Sequence, residues 1–137
     1  MLSRDVVREV KWAGHPVLKT AGGAQALKRT DAYLLRDQAG RKVEIAVPDS
    51  LGALIVKSAA HLVDRVNRTR HLQDLVTLLA ATPVGQLRGG QLTKKDKFYL
   101  RHLGEEIGSP RDIWWSTFSQ RDVVAAQATL VDIRDQI

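Results

Sequence analysis

Between Leu54 and Ala80 the chain reads LIVKSAAHLVDRVNRTRHLQDLVTLLA, an apolar run in which charged residues recur at helical spacing. At roughly 100° per residue, Leu51, Leu54, Ile55, Ser58, Leu62 and Val66 of a helix over 51–68 fall on one side, which predicts the core face. Lys57, His61, Asp64 and Arg68 fall in a narrow wedge on a different side and form a continuous polar ridge. Pro48 ends the preceding segment, and Asp49 or Ser50 can cap this helix by accepting a bond from an orphan N–H, worth roughly 1 kcal/mol. Thr69 is expected to cap a second helix over 70–81, whose apolar stripe is Leu72, Leu75, Val76 and Leu79 and which Thr82-Pro83 stops.

Upstream the period changes. Residues 32–47, AYLLRDQAGRKVEIAV, are two β-prone runs around Asp37-Gln38-Ala39-Gly40, with Gly40 free to take a positive φ and close a hairpin. Before them, Gly22-Gly23 breaks the chain and AQALKR predicts a turn or two of helix. Residues 1–20 fit neither period; irregular structure with one short helix is expected there. Downstream, VGQLRGGQ (84–91) reads as a loop. Three helix starts then share one logic, a hydroxyl followed three residues on by aspartate: Thr93 with Asp96, Ser109 with Asp112, Ser119 with Asp122. The predicted fold is α+β and predominantly helical: one domain over 1–137, irregular to 21, a short helix and β-hairpin in 22–47, then about five helices over 48–137.

Composition narrows the class. The 137 residues are 44% hydrophobic and 26% charged, as in a globular chain, so disorder is a poor description. There is no cysteine, which excludes disulfides, thiolate metal sites and cysteine nucleophiles, and weakly favours a reducing compartment, the cytoplasm. Charges interrupt the apolar pairs of MLSRDVVREVKWAG, and no apolar run approaches the roughly 18 residues of a span; neither secretion nor a membrane is expected. A net charge of +6 raises the expectation of a polyanionic partner.

The residues that carry chemistry admit two readings each. The Lys57–His61–Asp64–Arg68 ridge is either a solvated face laced with weak intrahelical ion pairs or the wall of a cleft where Lys57 and His61 meet a phosphate. On the next helix Arg70, His71 and Asp74 occupy the first turn and a half. KKDKFYLRH (94–102) lines Lys94, Lys97 and Arg101 along one helical side, the best local candidate for a nucleic-acid backbone contact, while Phe98 and Tyr99 read as packing residues. His15, His61, His71 and His102 show no ligand spacing, so no metal site is expected. Trp114, Trp115 and Phe118 are expected to anchor the last helix. Val123, Val124, Leu130, Val131 and Ile133 spread over more than one side of it, pointing to burial in a bundle or a dimer.

Taken in order, GGAQALKRTD (22–31), the hairpin, VPDSLGALIVKSAAHL (47–62) and TRHLQDLVTLLA (69–80) resemble the C-terminal half of the AbiEii/AbiGii-type nucleotidyltransferases, the group that includes MenT-like toxins of toxin–antitoxin systems. The resemblance covers roughly residues 20–105. Its marks are the GGxQALxRT phrase, a proline-led helix with lysine at LxxK, and a following helix opening on arginine with Asp-Leu four residues later. It implies transfer of a nucleotidyl group from a nucleoside triphosphate to RNA, plausibly transfer RNA, with Mg2+ bridging carboxylates and phosphates and an antitoxin as controlling partner. It also implies Lys57 as the phosphate-contacting lysine, Asp74 as its supporting carboxylate and Arg70 as a second phosphate contact. His71 stands where the pattern often has another aspartate.

The resemblance stops at an absence. The Gly-Ser turn and Asp-x-Asp strand with which such enzymes begin do not occur in residues 1–21, and Gly108-Ser109 lies in the wrong half. Without paired carboxylates, Mg2+ lacks its protein ligands, and this polypeptide alone is not expected to catalyse the transfer. The expectation is therefore a truncated product, one half of a split enzyme or a start-site artefact whose missing N-terminal half would complete the site, or a degenerate relative reused for binding, with a homodimer as the other partner expected. The reading from a different class is a non-enzymatic basic module for nucleic acid or a partner protein.

Overall fold

A computed structural model of the chain describes residues 20–85, 87, 92–108 and 115–137, with backbone alone at 2–3, 11–12, 15–16 and 19. In the first twenty residues four two-residue strands are described: β1 (Leu2–Ser3) pairs in parallel with β4 (Lys19–Thr20), and β2 (Lys11–Trp12) pairs antiparallel with β3 (His15–Pro16). The short helix expected in this segment would need residues outside those described.

Gly22, at φ 72°, turns the chain into α1 (Gly23–Leu27). A Cβ on Gly22 would lie 2.8 Å from the Ala59 Cβ, so the left-handed turn and the close packing of α1 on the next long helix both require glycine. The hairpin follows as expected, β5 (Thr30–Arg36) and β6 (Lys42–Pro48), paired from Thr30↔Pro48 to Arg36↔Lys42. Gly40, at φ 80°, closes its turn, and Asp37 holds the other side by accepting from the Arg41 amide and Nε. That ion pair keeps the Asp37 carboxyl below the usual carboxylate range.

Helix α2 (Ser50–Val63) is capped by Asp49, whose Oδ1 accepts from the Gly52 amide at 2.6 Å. It ends five residues before the predicted boundary, and α3 (Arg68–Ala81) begins on Asn67 rather than Thr69. Asp64 is the cause. Its Oδ1 accepts from the amides of Val66 and Asn67, and its Oδ2 from the Asn67 side chain, folding 64–67 into a turn. Beyond Val63 the helical step no longer applies, so Val66, predicted in the core, is 88% exposed; Leu62, also predicted in the core, lies in the last turn of α2, at the edge of the packed bundle, and is 37% exposed.

Helix α4 (Lys94–Ile107) carries the predicted capping box in full, with Thr93 and Asp96 bonding each other's amides. Asp96 is buried, and its Oδ2 also accepts from Arg29 Nη2 at 3.1 Å, fastening α4 to the loop before the hairpin. The helix start expected at Ser109 lies outside the described residues, as does Trp114. Trp115 is buried and Phe118 packs on the core, and Ser119 caps α5 (Gln120–Gln136) with Asp122 as predicted.

Helix α3 packs against α2 and α5, and α4 rests on α2 and α5. Their facing side chains, among them Leu54, Ile55, Leu75, Leu79, Leu100, Leu103, Leu130 and Ile133, form one buried cluster, each contributing roughly 1.5–3 kcal/mol by leaving water. Thr129 Oγ1 donates to the Thr82 carbonyl and ties α5 to the end of α3. The fold is α+β and predominantly helical. Among the described residues the hairpin is a sheet of two strands only, with most of its side chains exposed.

Candidate functional site

Lys57 leaves α2 from the flank that α3 covers, and Asp74 leaves α3 one and a half turns from its start. Their side chains meet, Lys57 Nζ donating to Asp74 Oδ2 at 2.6 Å, with the two side chains 37% and 35% exposed. The ammonium has three donors, and Asp74 occupies one. Arg70 is exposed one turn before Asp74 and on the same helix face. So the lysine, the aspartate and a second cation share one side of the α2–α3 pair, open to solvent.

His61 is not on that ridge. It is 2% exposed, because α4 packs over this flank of α2, and its Nδ1 lies 2.9 Å from His102 Nε2 in a stacked ring pair. Burial lowers the proton affinity of His61 below the ordinary imidazole value; Glu106 opposes the shift, while Arg68, His102 and His71 add to it. A buried ring turned towards His102 offers no surface to a phosphate beside Lys57. The two outer members of the ridge are employed elsewhere: Asp64 in its turn, where it also meets His71 Nε2 at 3.2 Å, and Arg68 beside Glu106 at 3.8 Å.

The carboxylates do not fit the Mg2+ of the resemblance. Among the described residues the groups able to place three ligand atoms around one ion are His61, His102 and Glu106, a cluster to which Asp74 does not belong. Two imidazoles are a poor set for Mg2+, which takes oxygen ligands in near-octahedral order. The sequence signal for this cluster was available in part, since His102 and Glu106 stand one helical turn apart; the third member comes from a helix 41 residues away.

On α4, Lys94 and Lys95 are exposed and Lys97 partly so. Arg101 donates from Nη2 to the Ile137 carbonyl at 2.8 Å, at the end of α5. Phe98, expected to pack, is instead 55% exposed, on the face between Lys94 one turn before and Arg101 one turn after. Tyr99 points inward and packs on the core. A groove of about 230 Å³ opens between α4 and α5, floored by Leu100, Leu130, Ile133 and Ile137. It is lined by neither Lys57 nor Asp74.

No family model, no curated protein and no solved structure matches this chain. Among the described residues no helix is long and apolar enough to cross a membrane.

Proposed function

We propose that this chain supplies the phosphate-contacting helical half of a nucleotidyl-transfer site and is inactive by itself. The observation that carries the reading is the meeting of Lys57 and Asp74 across α2 and α3 at 2.6 Å, with both groups reachable from solvent. In this reading Asp74 aims the ammonium, the remaining N–H donors of Lys57 take phosphate oxygens, and Arg70 adds a second cation. The metal-binding carboxylates come from outside these 137 residues. Completed, the site passes a nucleotide from a nucleoside triphosphate to RNA, with transfer RNA the acceptor the resemblance implies and an antitoxin its regulator.

The test is equilibrium binding of a fluorescent nucleoside triphosphate to the purified chain at low salt. Lys57→Ala is expected to weaken binding about tenfold, the loss of one charge-assisted hydrogen bond of roughly 1.4 kcal/mol, with an unchanged helical spectrum. Lys57→Arg should retain part of it. Equal affinity in the wild type and Lys57→Ala would exclude this site.

One observation favours a second reading, a basic module that binds single-stranded nucleic acid. Phe98 lies exposed between Lys94 and Arg101 on one face of α4, and an aromatic flanked by cations is how sequence-tolerant stacking on bases is built.

A further inference from the structure

The cluster where α2 meets α4 has no part in the nucleotide reading, yet it gathers the strongest set of ligand atoms described. His61 occupies the last turn of α2. His102 and Glu106 are one turn apart on α4, so both project from one face of that helix towards it. The Ser58 hydroxyl donates to the Tyr99 carbonyl about one turn away, fixing the two helices against each other at this level.

His61 Nδ1 and His102 Nε2 lie within hydrogen-bond distance, and each ring keeps a second nitrogen to satisfy. His61 Nε2 faces Glu106 Oε2 at 4.0 Å, too long for a hydrogen bond. One ligand atom from each of the three side chains lies within 4.8 Å of the others. An ion bound at about 2.0–2.1 Å in tetrahedral order holds its ligand atoms roughly 3.3 Å apart. His61 can give an ion only one of its two nitrogens, Nδ1, now 2.9 Å from His102 Nε2, or Nε2, now 4.0 Å from Glu106 Oε2, so binding would replace one of these two approaches, and ligand atoms now within 4.8 Å of one another would draw in by up to about 1.5 Å.

We propose that His61, His102 and Glu106 form a binding site for a divalent transition ion of the Zn2+ class. Two imidazole nitrogens and one carboxylate oxygen are a borderline donor set that suits Zn2+ and selects against Mg2+ and Ca2+. The surroundings match. His61 is buried, which fixes one ligand, while His102 and Glu106 are partly exposed and leave an entry path and an open fourth position for water. Arg68 Nη2 stands 3.8 Å from Glu106 Oε1, so it can hold that oxygen and leave Oε2 for the ion, an outer contact that orients the ligand. The positive charge of Arg68 works against the ion at the same time, and the site is expected to bind more weakly than a four-ligand structural zinc site.

The experiment strips the full chain of metal and titrates it with Zn2+ alone at neutral pH, by calorimetry and by competition with a chromophoric chelator. One equivalent per chain should bind with micromolar or tighter affinity, and Co2+ in its place should give the visible absorption of a low-coordinate site. His102→Ala and Glu106→Gln, both on the partly exposed side, should each weaken binding at least about tenfold with the helical spectrum intact. His71→Ala should leave it unchanged, and excess Mg2+ should not compete. The proposal is overturned by failure to bind one equivalent, or by affinity that survives both the His102 and Glu106 substitutions, which would place the ion on other histidines.

Discussion

Asp64 shows how much a single exposed side chain decides here. It accepts hydrogen bonds from the Asn67 side chain, from the amides of Asn67 and Val66, and from His71, and together these hold its carboxyl well below the usual range. A folded-state value below the unfolded one means the carboxylate stabilises the fold fully above the unfolded value of about 3.9, and that contribution is lost as the pH falls through and below it. Asp64→Asn should therefore flatten the acid limb of a stability-versus-pH curve below about pH 4, leaving the slope between pH 6 and 8 as it was; an acid limb of unchanged steepness would contradict this. The same residue explains what could not be read at this scale. Counted by helical steps, Asp64 belonged to a ridge with Lys57 and His61, but it terminates the helix with its own oxygens. His61 was misplaced for a different reason: it borders the Leu54 edge of the stripe, and whether an edge is wet depends on a helix that arrives 41 residues later. Lys57 and Asp74 were legible because each lies well clear of its helix's apolar stripe, and two adjacent helices leave few ways to turn such faces.

Among elements, those governed by local chemistry were the readable ones. The caps Asp49, Thr93 and Ser119 and the Gly40 turn each rest on side chains within four residues of the groups they satisfy, and all stand where the pattern put them. The β1–β4 pair depends on partners 17 residues apart, which no local period records, and β2 and β3, though neighbours, are two residues each and too short to show a period. The hairpin was legible as an element but not in its surroundings. Its register sets Tyr33 opposite Ile45 and Leu35 opposite Val43, so these four share one face, and all are exposed. A two-stranded sheet with an uncovered apolar face is marginal alone. Native-state hydrogen exchange should accordingly find amides of β5 and β6 exchanging orders of magnitude faster than those of α2 and α3 around Ile55 and Val76. Equal protection in hairpin and helices would mean that this face is held in solution by a further contact.

For the molecule as a whole, the consequential feature is how the two signs of charge are employed. Asp37, Asp49, Asp64, Asp74, Asp96, Asp122 and Asp132 are engaged in turns, caps and ion pairs, whereas Arg36, Lys42, Arg65, Arg70 and Lys94 stand exposed. The net charge of +6 is thus carried mainly by surface cations available to a polyanion. Binding driven by them releases counterions, so the logarithm of the association constant for a single-stranded RNA should fall with the logarithm of salt, by roughly 0.7 for each phosphate neutralised. Replacing Lys94 and Lys97 together with alanine should lower that slope by about 1.4 if each contacts one phosphate. Phe98→Ala separates the other contribution, because stacking does not release ions: affinity should drop by about 1–3 kcal/mol at every salt concentration while the slope stays fixed. A slope near zero in the wild type removes the nucleic-acid reading altogether. A steep slope that neither the lysine pair nor Phe98 alters would move the contact off α4, to the exposed cations of the hairpin turn, of the α2–α3 turn and of the first turn of α3, where Arg70 stands on the same helix face as Asp74.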